Sequence, residues 1–599
     1  MTERIIMGNE AIALGAIAAG VKVVSGYPGT PSTEIVEALL KEKDHDVKVQ
    51  WSTNEKVAME VAAGVAYTGA RAMVTMKQVG LNVASDPLMC LSYIGVEGGL
   101  VVAVADDPGP WSSQTEQDTR SFARHANLPV FDPSSPEEAY EMVQAAFELS
   151  EEFKLPVLLR PTTRVCHASS TVILKEEIKE ISPSGFEKKP DWCIFPALSY
   201  VKHGELEIKQ KTLSDKFDGS VFNEIISGGR KGIAVSGVSY LYVKELLKEF
   251  NLDVSLFKIG TPYPLPKGLA EKLVSSVESI LVIEELDPIV EEQLLILAGG
   301  RIPIYGKNTG HTAYNGEFSF DSVKKSIFKY LGIEIEERDK VLEELPQLPV
   351  RPPVLCGGCP HRASFYAAKI ATKNLKKVVY CGDIGCYTLG NAAPLNMVDT
   401  CLCMGAGITI AQGLSLAEPE TKCLAFIGDS TFFHTGIPGV VNAVYENSNI
   451  TIVVLDNLTT AMTGCQPHPG TGETAMGTPS KNIDIEGMLR ACGVEHIYKV
   501  NPFDFKESVE VFKKAITHNE PSAVIAVAPC IALIKTPPTV HRVDENCIAC
   551  LRCINELGCP AMTPDENGFV VINEPTCTDC GLCANVCPVN AIKRGDRYV

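Results

Sequence analysis

Along the first 165 residues, short apolar runs alternate with stretches whose apolar positions recur at helical spacing. Positions 21–24, 72–76, 100–104 and 157–159 are nearly continuous apolar segments, as strands buried on both faces are. Positions 55–67 and 136–149 carry the 3.6-residue period of helices packed on one side. This alternation predicts a parallel sheet wrapped by helices over 1–165. From 166 to 228 the chain is charged and poor in period, and a linker or excursion is expected there. A second α/β unit is expected over 229–345, with strands at 232–236 and 279–283. Pro346, Pro349, Pro352 and Pro353 mark a linker after it. A third unit covers 354–535, with strands at 377–381, 423–427, 451–456 and 523–528. The last, 543–599, alternates cysteine-rich turns with short hydrophobic strands such as 568–572. The fold class expected is thus α/β and multidomain, with a small cysteine-rich domain at the end.

Length and composition fit this picture. A chain of 599 residues is too long for one core, and about three to five domains is the expectation. At 45% hydrophobic and 21% charged residues it has the composition of a globular protein. A net charge of −19, with Lys and Arg scattered, argues against nucleic acid as a partner. The apolar stretch 11–24 is glycine-interrupted, carries Lys22 and is too short to span a bilayer. It also lacks a basic leader, so neither membrane nor signal peptide is expected and the location expected is cytoplasmic.

Twenty-one cysteines change the picture, because eight of them fall in the last 53 residues. Cys577, Cys580, Cys583 and Cys587-Pro588 form the C-x2-C-x2-C-x3-C-P run of bacterial ferredoxins. Three closely spaced thiolates on a turn grip one face of a cubane cluster, and the fourth reaches a neighbouring cluster. The upstream mate is Cys547, Cys550, Cys553 and Cys559-Pro560. The crossing rule assigns one 4Fe-4S cluster to Cys547, Cys550, Cys553 and Cys587, and another to Cys577, Cys580, Cys583 and Cys559. A pair of zinc sites is the alternative. The five residues before Cys559, where three are usual, put the fit of that ligand in question.

At the end of a predicted strand stands Gly428-Asp429-Ser430, and Asn457 follows Asp429 by 28 positions at the end of the next. A carboxylate and an amide at the C-terminal ends of neighbouring parallel strands suit Mg2+ bound with a diphosphate, with the Thr459 carbonyl as a further oxygen. The plainer alternative is an Asp helix cap and an unrelated Asn. The pair resembles the thiamine diphosphate fingerprint, with Ser430 in place of the usual glycine. Gly405-Ala406-Gly407 does not complete a dinucleotide motif, and no P-loop run exists.

Further segments widen the resemblance. They are Gly26-Tyr27-Pro28-Gly29-Thr30-Pro31-Ser32, Asn54-Glu55, Met76-Lys77-Gln78-Val79-Gly80-Leu81-Asn82, Cys356-Gly357-Gly358-Cys359-Pro360-His361-Arg362 and Gly382-Asp383-Ile384-Gly385-Cys386. Their order along one chain resembles the 2-oxoacid:ferredoxin oxidoreductase family, over nearly the whole length. The resemblance implies thiamine-binding units at 1–165 and 354–535, a transketolase C-terminal-like unit at 229–345, and a two-cluster ferredoxin domain. It implies that Glu55 hydrogen-bonds the cofactor's aminopyrimidine and that Thr30 lies near the substrate carboxylate. Helix-dipole stabilisation is the plainer role for Glu55. Gly29 is expected to make room for a bulky substrate, Ile384 to prop the bent cofactor, and Gly385 to admit the diphosphate. Gly382, Asp383, Gly405, Gly428 and Ser430 fall on the cofactor side. Cys356, Cys359, Cys386 and Cys530 resemble ligands of a third, proximal 4Fe-4S cluster, with inert buried thiols as the alternative.

The function implied is oxidative decarboxylation of arylpyruvates with coenzyme A, giving aryl-acetyl-CoA, CO2 and reduced ferredoxin. Fused relatives carry a domain absent here, so a smaller beta subunit and a dimer of heterodimers are expected. Two other readings stay open: a non-oxidative thiamine decarboxylase, and an electron-transfer subunit with an inactive thiamine site.

Overall fold

The computed structural model describes residues 2–42, 45–175, 177–334, 348–349, 351–535 and 539–596. The expected end of the second unit near 345, and Pro346, lie outside the described residues. Two compact units divide the chain, Met1–Glu343 and Glu344–Val599.

The first unit holds two main sheets and one two-stranded pair. Its larger sheet is built from β1 (Val23–Gly26), β2 (Lys48–Trp51), β3 (Ala72–Lys77), β4 (Leu100–Ala105), β5 (Val130–Phe131) and β6 (Val157–Leu159). All are parallel, in the order β2-β1-β3-β4-β6-β5. Every side chain of β4, Leu-Val-Val-Ala-Val-Ala, is buried, because helices cover both faces. Helix α1 (Glu55–Ala66) follows β2; the Asn54 side chain caps it by accepting from Val57 N–H at 2.9 Å. Its buried stripe of Ala58, Met59, Ala62, Ala63 and Ala66 brings its axis close to the sheet. The short helix α2 (Gln78–Val83) follows β3, and α3 (Pro136–Phe153) starts on a Ser135 cap with Pro at its first position.

The segment 166–228 is more ordered than its sequence pattern predicts. It contains a strand, Ser169–Leu174, paired antiparallel with Thr2–Met7, and a 22-residue helix, α4 (Pro196–Phe217). Only Leu206, Leu213, Ser214 and Phe217 of α4 are buried, so the helix lacks the apolar stripe that would announce it. It leads into the second sheet: β7 (Asn223–Ile226), β8 (Lys231–Ser236), β9 (Ser255–Ile259), β10 (Ser279–Ile283) and β11 (Ile304–Tyr305). Their order is β11-β10-β8-β9-β7, with β7 antiparallel at the edge.

Buried charges join the two sheets. Arg120 pairs with Asp118 at 2.7 Å and with Glu284, just beyond β10, at 2.8 Å. Arg160 pairs with Asp106 at 2.7 Å and Asp132 at 3.3 Å. All six side chains are buried, and each guanidinium meets two carboxylates.

The second unit contains an all-parallel sheet of β12 (Val378–Cys381), β13 (Lys422–Gly428), β14 (Ile450–Asp456), β15 (His496–Val500) and β16 (Ser522–Val527), in the order β12-β13-β14-β16-β15. Helix α5 (Pro360–Thr372) precedes β12. The cysteine-rich segment adds two antiparallel pairs, β17 (Thr539–Val543) with β20 (Ile592–Asp596), and β18 (Met562–Pro564) with β19 (Val570–Ile572). No helix among the described residues is long and apolar enough to cross a membrane.

Two stability predictions follow from the charge network. Arg120→Met leaves Asp118 and Glu284 buried without their cation, and is expected to destabilise the first unit by about 3–5 kcal/mol. All three tryptophans, Trp51, Trp111 and Trp192, lie in that unit, so their fluorescence during urea unfolding of the full chain reads it. Burial pushes the nearby Glu285 carboxyl up to about 7, although Phe318 N–H donates to it at 2.8 Å. The folded state then holds a proton that the unfolded chain releases near pH 4.3. This group's contribution to stability therefore falls as pH rises from about 4.3 to 7 and is level above, and Glu285→Gln is expected to remove that slope.

Candidate functional site

Candidate residues gather at the C-terminal ends of both larger sheets, where open α/β folds bind ligands. In the first unit, the loop after β1 carries Gly29 and Thr30. Ser32 Oγ donates to Gly29 O at 2.8 Å, and Gly29 N–H donates to Thr33 Oγ1 at 2.9 Å. Beyond β2, the turn to α1 delivers Glu55, which is buried. A Cβ at Gly80, in α2, would lie 2.6 Å from Glu55 Oε1, so glycine there makes room for the carboxylate. At Gly29 the space expected for substrate is taken by the chain itself: a Cβ would lie 2.9 Å from Lys77 Cδ and 3.0 Å from its Cγ. Lys77 is the last residue of β3. Its ammonium donates to Ser112 O at 3.0 Å, and burial holds its pKa below the usual lysine range against the charges of Asp107 and Glu55.

In the second unit, β13 ends at Gly428 and its parallel neighbour β14 at Asp456, which sets Asp429 beside Asn457. Asp429, Asn457 and Thr459 are all buried. The oxygen end of the Asn457 amide faces Asp429 Oδ2 at 3.2 Å and the Thr459 carbonyl at 2.6 Å. Three oxygens this close are tolerated if the amide turns its NH2 toward the other two, or if they share a cation. Octahedral Mg2+ with bonds of about 2.1 Å sets neighbouring ligand oxygens about 3 Å apart, so the donor set fits that ion. His468, which no sequence motif marked, places Nε2 3.1 Å from Asp429 Oδ2. Asp456 is pushed up to about 6 by burial and by the Asp429 charge.

The 382–385 loop closes the same end of the sheet. The Asp383 carboxylate accepts from Ile384 N–H at 2.6 Å and from Gly405 N–H at 2.9 Å, and burial pushes it up to about 7. Gly405 has φ of +85°, a conformation that favours glycine. Ser430 N–H donates to Asp429 Oδ1 at 2.8 Å, and Thr460 Oγ1 to Ser430 Oγ at 3.0 Å. A Cβ at Gly385 would lie against the Tyr387 ring, which also lies 2.6 Å from where a Gly428 Cβ would be. Tyr387 hydroxyl donates to Ile384 O at 3.0 Å. His361 meets the Tyr387 ring edge-on, 5.7 Å between centroids. It is fully buried and held neutral down to about 4, and neither ring nitrogen has a hydrogen-bond partner among the described residues.

The cysteine-rich segment folds around two cavities. Cys547, Cys550, Cys553 and Cys587 line one. Cys577, Cys580, Cys583 and Cys559 line the other, together with Cys359 and Arg362. A short helix, Arg552–Leu557, takes up the extra residues before Cys559 and ends on Gly558 at φ +59°. Tetrahedral zinc would draw its thiolates to about 3.8 Å from one another. Among the described residues, only Glu495, His496 and Glu520 bring three ligand atoms within 4.8 Å of one another. Burial pushes Cys580 up to about 11, so its thiolate form needs a cationic group in the cavity.

The proximal candidates divide. Cys386 is pushed up to about 11 by burial, then by Cys530, Cys356 and Cys465. Cys530 is raised by burial and then by Cys465, Cys356 and Asp429, and its N–H donates to Asn457 O at 3.0 Å. Cys356, Cys386 and Cys530 are thus brought together with Cys465, which sequence reasoning missed. Cys359 instead walls the cavity of Cys577, Cys580 and Cys583.

Comparison with known proteins gives three family matches. Residues 14–192 match the thiamine diphosphate-binding model of pyruvate flavodoxin/ferredoxin oxidoreductase, 383–526 the C-terminal TPP-binding domain of thiamine pyrophosphate enzymes, and 570–593 a 4Fe-4S binding domain. The indolepyruvate oxidoreductase subunit IorA of Archaeoglobus fulgidus is 42% identical over 98% of this chain and 97% of its own length. That of Thermococcus kodakarensis is 44% identical over 98% and 96%. A solved 2-oxoglutarate:ferredoxin oxidoreductase from Magnetococcus marinus covers 55% of this chain and 65% of its own at 18% identity, with a TM-score of 0.44.

The cavity assignment is checked by Cys559→Ser. Anaerobically prepared protein is expected to lose about four iron and four sulfide per chain, with the Cys547 cavity still loaded. An unchanged iron and sulfide content would place Cys559 outside the ligand set.

Proposed function

This chain belongs to the indolepyruvate oxidoreductase subunit IorA family, and we propose that it carries out thiamine-dependent oxidative decarboxylation of arylpyruvates such as indolepyruvate, phenylpyruvate and 4-hydroxyphenylpyruvate. The observation that carries this reading is the convergence of the Asp429 carboxylate, the Asn457 amide and the Thr459 carbonyl at the ends of two adjacent parallel strands. Asp429, Asn457 and Thr459 would hold Mg2+, with Gly382, Asp383, Ile384, Gly385, Gly405, Gly428 and Ser430 around the diphosphate.

Bound thiamine diphosphate supplies the electron sink that lets a 2-oxoacid lose CO2. The chain's own residues prepare for that chemistry. Glu55, seated over Gly80, offers its carboxylate to the aminopyrimidine. Thr30 lies on the substrate side. Cys547, Cys550, Cys553 and Cys587, and Cys577, Cys580, Cys583 and Cys559, would each bind a 4Fe-4S cluster, and Cys356, Cys386 and Cys530 would serve a third. The balanced reaction takes one arylpyruvate, coenzyme A and two oxidised ferredoxins to aryl-acetyl-CoA, CO2, two reduced ferredoxins and a proton. A smaller beta subunit completes the enzyme, as a dimer of heterodimers.

The test is anaerobic, on the chain co-expressed with its small partner. With coenzyme A and phenylpyruvate or indolepyruvate, rapid ferredoxin reduction is expected, and little with pyruvate. Reduction by pyruvate alone would overturn the aryl assignment, and aldehyde release without acceptor would overturn the oxidative one. Glu55→Ala is expected to lower turnover at least about 100-fold with cofactor bound. Turnover near wild type would remove Glu55 from the mechanism.

A further inference from the structure

We propose that Lys77 binds the carboxylate of the 2-oxoacid substrate and thereby selects for acids; this inference rests on the functional reading above. Its placement comes from topology. β3 lies between β1 and β4 in the sheet, and Lys77 is its last residue. The neighbouring strand ends carry Thr30 after β1, Glu55 after β2 and Asp107 after β4. Lys77 is therefore central among the groups at the ligand-binding edge.

Its side chain is also held in place. The Cβ, Cγ and Cδ atoms run alongside Gly29, at 3.5, 3.0 and 2.9 Å from where a Cβ would stand there. Ser112 ties the ammonium to the Thr30 loop, since Ser112 O accepts from Nζ at 3.0 Å and Ser112 Oγ donates to Thr30 O at 3.0 Å. Thr30 and Lys77 thus form one fixed pair.

The ammonium's bonding is incomplete. It has three N–H donors, and one is used, on Ser112 O. Among the described residues Lys77 forms no ion pair, whereas Arg120 and Arg160 in the same unit each hold two carboxylates. Burial holds the Lys77 pKa down although the charges of Asp107 and Glu55 act the other way, so those carboxylates do not fully offset the cost of taking the ammonium from water. An arriving carboxylate adds a direct ion pair and accepts the two remaining N–H groups. Because the carboxylate departs as neutral CO2, the attraction favours bound substrate over the state that follows. Losing it is therefore expected to raise KM more than it lowers kcat.

The experiment uses the full chain with its partner subunit, anaerobically, as wild type, Lys77→Met and Lys77→Arg. Calorimetry reads binding of 3-phenylpropanoate and of its neutral isostere 3-phenylpropanamide, alongside phenylpyruvate kinetics, thiamine affinity and iron content. Lys77→Met is expected to raise the phenylpyruvate KM about 100-fold, with kcat within about threefold, and to abolish the preference for acid over amide. Lys77→Arg, which keeps the charge, is expected to retain that preference and stay within about tenfold of wild-type KM. Thiamine affinity and iron are expected to be unchanged. An intact acid preference and KM in Lys77→Met, or loss of thiamine affinity with the acid preference retained, would overturn the proposal. Absence of acid binding in wild type would also overturn it. A wild type that binds the acid through Lys77 yet reduces no ferredoxin would sink the functional reading and leave the carboxylate site standing.

Discussion

A charged or polar group withdrawn from water must find a partner, and this chain meets that demand in two ways. In the first unit, Arg120 and Arg160 are matched by Asp106, Asp118, Asp132 and Glu284, and the matched set joins one sheet to the other. At the strand ends the demand is left open. The Asp429 carboxylate, the Asn457 amide and the Thr459 carbonyl converge at one point, and His361 has two ring nitrogens without protein partners among the described residues. Burial pushes the Cys580 and Cys583 thiols up, and Lys77 uses one donor of three. Groups matched by protein stabilise the fold; groups left unmatched mark where something else binds.

The parts of this arrangement readable in the sequence are those fixed by local geometry. Leu100–Ala105 declares a strand because both its faces are covered. Asp429 and Asn457 declare a pair because one strand–helix–strand unit separates them, and parallel register brings the two strand ends level. The cysteine spacings declare clusters because a turn of that length can present three thiols to one cavity. Helix Pro196–Phe217 stayed hidden because few of its residues are buried. His468 and Cys465 stayed hidden because the loop after Asn457, which has no periodicity, carries them back to the strand ends.

Two glycines share one feature. Gly29 and Gly385 are expected to leave space for ligands, and each also leaves space for a side chain of this protein, Lys77 and Tyr387. Glycine shows that something approaches the backbone closely, not what approaches. Gly385 has extended backbone that any residue adopts, so crowding by Tyr387, and not strain, accounts for it.

The Cys356-Gly357-Gly358-Cys359 segment joins two groups of cysteines. Cys356 lies with Cys386 and Cys530, and Cys530 is bonded through its backbone to Asn457. Cys359, three residues on, walls the cavity of Cys577, Cys580 and Cys583. Three residues span at most about 11 Å, and the turn here, with Cys359 N–H donating to Cys356 O at 3.3 Å, is tighter still. Gly358 has φ of +70° and Gly357 packs on the Thr576 carbonyl, which accounts for both glycines between the cysteines. A side chain at either position would push the segment from the second cavity. The same short turn that fixes the helix start at Pro360 therefore also fixes how near the thiols around Asn457 stand to those of the ferredoxin-like segment.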